Sequence, residues 1–115
     1  MKKKNKIIMW LVLTALLLLI GNSVYSYYFT PGKYDGFAKC LTDKGAIMYG
    51  AILTCKYTQG QAAMFGKSFK YVNYKEATEL PGIRTTPTWI INGKRYEKVQ
   101  SFDYLASLTG CSYAK

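Results

Sequence analysis

Fourteen consecutive residues, Ile7 to Ile20, contain one polar side chain, Thr14, and no charge follows them until Lys33. A run of this kind is meant for a membrane, and it leaves the rest of the chain to fold by itself. Lys2, Lys3, Lys4 and Lys6 precede the run and by the positive-inside rule stay in the cytoplasm. Fourteen apolar residues suit the core of a signal peptide better than a full span of about 20. Val24-Tyr25-Ser26 offers small residues where a signal peptidase reads, so one outcome is cleavage after Ser26 and secretion. Against that, the uncharged stretch continues to Phe29, and Tyr25, Tyr27, Tyr28 and Phe29 resemble the aromatic belt of a membrane interface, which favours an uncleaved anchor. The expected division is residues 1–29 as membrane anchor or signal segment and 30–115 as one extracytoplasmic domain, periplasmic or at the cell surface. A chain of 115 residues has no room for a second core.

The net charge of +10 invites a nucleic-acid reading. Four of the sixteen bases belong to the N-terminal topology signal, however, and the remaining twelve face six acids, which leaves +6. Lys67 and Lys70, then Lys94, Arg95 and Lys98, are spread out as solvated faces, so no nucleic-acid partner is expected; attraction to anionic lipid or acidic partners is the milder reading. The chain has no histidine, and its three cysteines, Cys40, Cys55 and Cys111, lie too far apart for a zinc site, so no metal and no cofactor are expected.

Within the domain, Thr30-Pro31-Gly32 reads as a turn. Phe37, Cys40 and Leu41 share one face of a short helix that Gly45 can end. The apolar run Ala46 to Leu53 suits a central strand covered on both faces. Residues 55–65 read as a helix closed by Gly66, and Phe69 to Tyr74 as an aromatic-rich second strand, parallel to the first because a helix joins them. Trp89-Ile90-Ile91 is a third strand, and Asn92-Gly93 is a hairpin signal leading into Arg95 to Val99. Ser101 is a good N-cap for a last helix carrying Phe102, Leu105 and Leu108, ended by Gly110. The order is a helix, then β-α-β, then β-β-α.

That order, an α/β domain with a central mixed sheet, resembles the thioredoxin-like fold. Phe37-Ala38-Lys39-Cys40-Leu41-Thr42, Tyr49-Gly50-Ala51, Phe65-Gly66-Lys67-Ser68, Pro87-Thr88-Trp89, Asn92-Gly93 and the closing Gln100-Ser101-Phe102 to Leu108-Thr109-Gly110-Cys111 are similar to the thioredoxin-like domain associated with vitamin K epoxide reductase family proteins. The resemblance covers nearly all of residues 37–111. In that family the first strand leads into Trp-Cys-Pro-His-Cys; here Cys55 takes the first cysteine, Lys56 the proline, Tyr57 the histidine and Thr58 the second cysteine. Leu53-Thr54 stands where the tryptophan would be, and the stretch from Tyr74 to Ile83 is shorter than the family's. The frame is kept while the dithiol centre is eroded to a CxxT site.

The chemistry that remains is that of one thiol. A cysteine at the first turn of a helix has its thiolate stabilised by unpaired backbone N–H groups and the helix dipole. Thr58 cannot resolve a mixed disulfide as a second cysteine would, but its hydroxyl can hydrogen-bond the Cys55 sulfur. Monothiol exchange and isomerisation on disulfide-containing clients survive, with release by the client's own thiol, an external thiol or a membrane redox partner. The resemblance further implies a cis Thr86-Pro87 bond packed against Cys55, with the Thr86 backbone pairing an extended client and Tyr57 lining the groove. Read without it, Pro87 opens an edge strand in the trans form.

Cys40 and Cys111, on the first and last helices, are expected to form a disulfide in an oxidising compartment, leaving Cys55 as the odd thiol. A Cys55–Cys40 pairing would instead make Cys55 structural. The competing reading of the site is a redox-inactive binding or chaperone-like module that uses the same groove for unfolded clients, with Tyr57 as an aromatic contact. Trp89, in an apolar strand, is expected in the core or groove wall.

Overall fold

The computed structural model describes residues 2–113. Residue 1 and residues 114–115, the outer ends of the two expected segments, lie outside the described residues. The described residues form two compact units that divide between Thr30 and Pro31.

The first unit is one continuous helix, α1, Lys2–Phe29, 28 residues long with none buried. At 1.5 Å per residue it measures about 42 Å, more than the roughly 30 Å hydrocarbon layer. It is long and apolar enough to cross a membrane. Its one polar side chain among the apolar residues, Thr14, donates its hydroxyl to the Trp10 carbonyl at 2.9 Å. That bond satisfies a group lipid could not.

The second unit carries α2 (Asp35–Asp43), β1 (Ile47–Gly50), α3 (Lys56–Phe65), β2 (Tyr74–Glu76), β3 (Thr88–Ile91), β4 (Lys94–Glu97) and α4 (Phe102–Thr109). The four strands make one mixed sheet in the order β2-β1-β3-β4. The β1/β2 pair is parallel, joined through α3, with Met48 opposite Tyr74. The β1/β3 and β3/β4 pairs are antiparallel, with Met48 opposite Trp89 and Trp89 opposite Tyr96. The hairpin between β3 and β4 turns on Asn92 and Gly93 at φ 53° and 78°, the left-handed pair that a two-residue turn of this hand requires. Ser101 caps α4, its Oγ accepting from the Tyr104 N–H at 3.1 Å, and Gly110 ends it.

The core is aromatic. Phe65 of α3 lies 4.8 Å from Phe102 of α4 and 6.2 Å from Trp89, ring centre to ring centre, and Phe37 of α2 lies 5.1 Å from Phe102. Met48, Leu41, Ile91 and Leu105 fill the remainder, all buried. Cys40 and Cys111 are bonded to each other, tying α2 to the segment after α4 across 71 positions of sequence.

Three expectations differ from the structure, the last strand among them: β4 ends at Glu97 and does not reach Val99, because Lys98 turns at φ 77°. The stretch Phe69 to Tyr74 is not a strand: Gly66–Tyr71 is a 3₁₀ helix, and β2 begins only at Tyr74. The reason is tertiary. Ser68 is fully buried, accepting from the Tyr34 N–H at 2.9 Å and donating to Asp35 Oδ1 at 2.8 Å, and an extended backbone would pull it out of that pocket. The first strand is shorter than Ala46 to Leu53 and its faces are unequal. Met48 and Gly50 are buried while Ile47 and Tyr49 are only half-buried, and the chain leaves the sheet after Gly50.

Candidate functional site

The site is built where β1 gives way to α3. The Ala51 carbonyl accepts from the N–H groups of both Thr54 (3.1 Å) and Cys55 (2.7 Å), which bends the chain out of the strand. The bend is pinned from two sides: the Ile52 N–H donates to the Tyr74 hydroxyl at 2.9 Å, and Gln59 Nε2 donates to the Ile52 carbonyl at 2.8 Å. Tyr74 in turn donates to the Glu76 carboxylate. Partial burial, then that bond, pushes its phenol up to about 12.

Cys55 is the N-cap of α3, in extended conformation, so its side chain stands at the open end of the helix. It is the free cysteine. Since Cys40 is bonded to Cys111, the pairing of Cys55 with Cys40 does not occur. Three residues on, Thr58 is fully buried, and its hydroxyl oxygen accepts from the Ala51 N–H at 3.2 Å, leaving the hydroxyl proton for the sulfur. This close approach depends on Gly50, since a Cβ there would meet Thr58 Cγ2 at 2.6 Å.

Opposite the thiol lies the Thr86-Pro87 peptide bond, which is cis. The protonated Cys55 Sγ donates to the Thr86 carbonyl at 3.6 Å. The thiolate is held by different partners: the Thr86 hydroxyl first, then the Thr58 N–H and hydroxyl, and last the Tyr57 N–H, with desolvation opposing. The balance lowers the thiol from its ordinary 9.0 to about 7. A lone thiol at a helix start, facing a fixed backbone edge and half ionised near neutrality, can attack a disulfide.

Beside the thiol runs a cleft of ≈ 430 Å³ lined by Tyr57, Thr85, Thr86, Lys98 and Val99. It meets the thiol through Thr86, which borders both. The Lys98 N–H donates to the Pro87 carbonyl at 2.8 Å, and Lys98 itself is held at φ 77°, where non-glycine residues are uncommon. Cys55, Thr58, Tyr57, Thr86 and Pro87 are thus brought together, whereas Cys40 and Cys111 serve as a structural bridge. Trp89 is fully buried in the core and is not among the residues that line this cleft. Among the described residues no group of His, Cys, Asp or Glu is placed to hold a metal ion.

Sequence reasoning passed over Gln61. It is fully buried on α3, its Oε1 accepting from Trp89 Nε1 (3.0 Å) and the Gln100 N–H (2.7 Å) while its Nε2 donates to the Gln100 carbonyl (3.1 Å). One side chain therefore satisfies the indole and the chain entering α4. Tyr74 and Lys98 were also read only as strand and surface; their roles arise from contacts 22 and 11 positions away, which no local pattern announces. No protein-family model matches the chain.

Proposed function

We propose that residues 30–115 form a thioredoxin-like domain, anchored by α1 on the extracytoplasmic side of a membrane, that carries out monothiol thiol–disulfide exchange and isomerisation on client proteins through Cys55. One observation carries the reading: the free Cys55 caps α3 with its sulfur against Thr86, beside a cis Pro87, and is lowered to about 7. A thiol poised near ambient pH combines a large thiolate fraction with retained nucleophilicity. In the reaction the Cys55 thiolate attacks one sulfur of a client disulfide, the S–S bond breaks, and the other client sulfur leaves as a thiolate. Attack by a client thiol on the mixed disulfide then frees Cys55 and leaves a differently paired client, with no net oxidation. Thr58 supplies N–H and hydroxyl to the sulfur, and the Thr86 backbone with Tyr57 receives the client segment. The lysine run and the Cys40–Cys111 disulfide support the extracytoplasmic side.

The test is rapid acid quench of membranes carrying the full chain, followed by non-reducing gels and mass spectrometry, with wild type beside Cys55→Ser. Disulfide-linked partners that vanish in the variant are expected. A Cys55 that stays free and unlinked overturns exchange and leaves the groove as a redox-inactive binding or chaperone-like module.

A further inference from the structure

Five large apolar side chains of the domain are exposed among the described residues; Met64 and Tyr104 lie on α3 and α4, and the other three lie near the thiol in sequence or on the cleft. Leu53 is 87% exposed two residues before Cys55, Tyr57 is 62% exposed two residues after it, and Val99 is 40% exposed on the cleft wall. Each would sit better under a partner. Cations frame the same place. Lys98 lines the cleft, Lys56 holds its Nζ 5.6 Å from the Tyr57 ring, and Arg84 directly precedes the lining residue Thr85. All three are exposed, and none forms an ion pair among the described residues. Arg95, by contrast, is engaged with the Pro81 carbonyl at 3.1 Å. No acid lines the cleft; the nearest in sequence, Glu97, lies in β4 in register with Thr88. The volume, ≈ 430 Å³, is that of a pocket for a small ligand, so it admits a few residues of extended chain and no folded surface.

From this arrangement we infer that the preferred client segment is extended and acidic: a cysteine flanked by carboxylates that face Lys98 and its neighbouring cations, with an apolar residue packing on Tyr57 and Val99. The inference rests on the exchange reading above and adds its substrate class. Charges at the rim of a site act chiefly on the rate of encounter and on its salt dependence. Lys98 is the discriminating residue because it alone of the three lines the cleft, and its φ of 77° fixes where its side chain starts.

The experiment uses the full chain in non-ionic detergent and three short peptides that differ only in the residues flanking one cysteine: Glu, Gln or Lys. Each cysteine is activated as its 2-thiopyridyl disulfide, a neutral leaving group. The Cys55 thiolate attacks the peptide sulfur, one S–S bond forms as one breaks, and pyridine-2-thione departs with a proton from solvent and is read by absorbance. The acidic peptide is expected to react about 10-fold faster than the basic one at low salt, the gap closing at high ionic strength. Lys98→Asn and Lys98→Asp suit the left-handed backbone there. The first should cut the acidic-to-basic rate ratio about 2- to 5-fold and the second further. Being a ratio within each variant, this readout is insensitive to changes in thiol reactivity or yield. Equal rates for the three peptides, or a ratio that Lys98→Asp leaves unmoved, would overturn the acidic preference while leaving exchange intact. Failure of every peptide to react with wild-type Cys55 would overturn both.

Discussion

Gly50 and Thr58 touch so closely that a Cβ on the glycine would stand 2.6 Å from Thr58 Cγ2 and 3.0 Å from its hydroxyl oxygen. Thr58 is β-branched, fully buried and held by the Ala51 N–H, so it has nowhere to move. Gly50→Ala is therefore expected to cost about 1–3 kcal/mol by overpacking. By displacing the Thr58 hydroxyl it should also raise the pH midpoint of Cys55 alkylation. Denaturant titration and iodoacetamide kinetics check the two effects separately.

The thiol itself should show a pH signature. Folding lowers Cys55 from 9.0 to about 7, so its thiolate adds stability that is fully present above pH 9 and is lost as pH falls through 7. The stability difference between wild type and Cys55→Ser should accordingly grow in favour of wild type between pH 7 and pH 9. Alkylation should be half-maximal near pH 7, and Thr58→Val, which removes a donor to the sulfur, should move that midpoint upward. A midpoint near 9 in the wild type would mean that Thr86 and Thr58 do not hold the thiolate.

Gln61→Leu keeps the volume of the core but strands the Trp89 indole N–H and the Gln100 N–H and carbonyl. The buried indole N–H left without a partner costs about 1–3 kcal/mol, and with the half-buried Gln100 groups a loss of about 2–4 kcal/mol is expected for the set. Gln61→Glu retains the acceptor for both N–H groups, and should recover part of that loss. Thermal unfolding of the three proteins gives the order wild type, Glu, Leu.

Removing the bridge by Cys40→Ala with Cys111→Ala should cost about 2–5 kcal/mol, chiefly by freeing the unfolded chain across 71 positions. Cys55 reactivity in the fraction that remains folded should persist, because neither cysteine touches the sulfur. Denaturation and alkylation of the double variant against wild type test both parts.

What was legible in the sequence is what local chemistry decides. Asn92-Gly93 can close only a tight hairpin, Ser101 finds its N–H three residues away, and the helix between β1 and β2 forces them parallel. The position of Cys55 at a helix start was legible for the same reason. The 3₁₀ helix Gly66–Tyr71 was not, because aromatic β-propensity there is overruled by a buried serine whose partners lie more than thirty positions away. The cleft was only half legible: Tyr57 and Thr86 were expected in it, while Thr85 adjoins Thr86 and Lys98 and Val99 follow from the Lys98 N–H bond to the Pro87 carbonyl.

Gln61 lies three residues beyond Thr58 on the helix that carries the thiol, and its amide is committed at once to a strand and to the entrance of α4. Sliding α3 along its axis by one residue, about 1.5 Å, would strain those three bonds together. The distance from sulfur to the Thr86 edge is in that sense indexed like a gear tooth. Gln61→Leu is therefore expected to shift the pH midpoint of Cys55 alkylation although Gln61 does not line the cleft, and a midpoint left at its wild-type value would show that the register of α3 is held elsewhere.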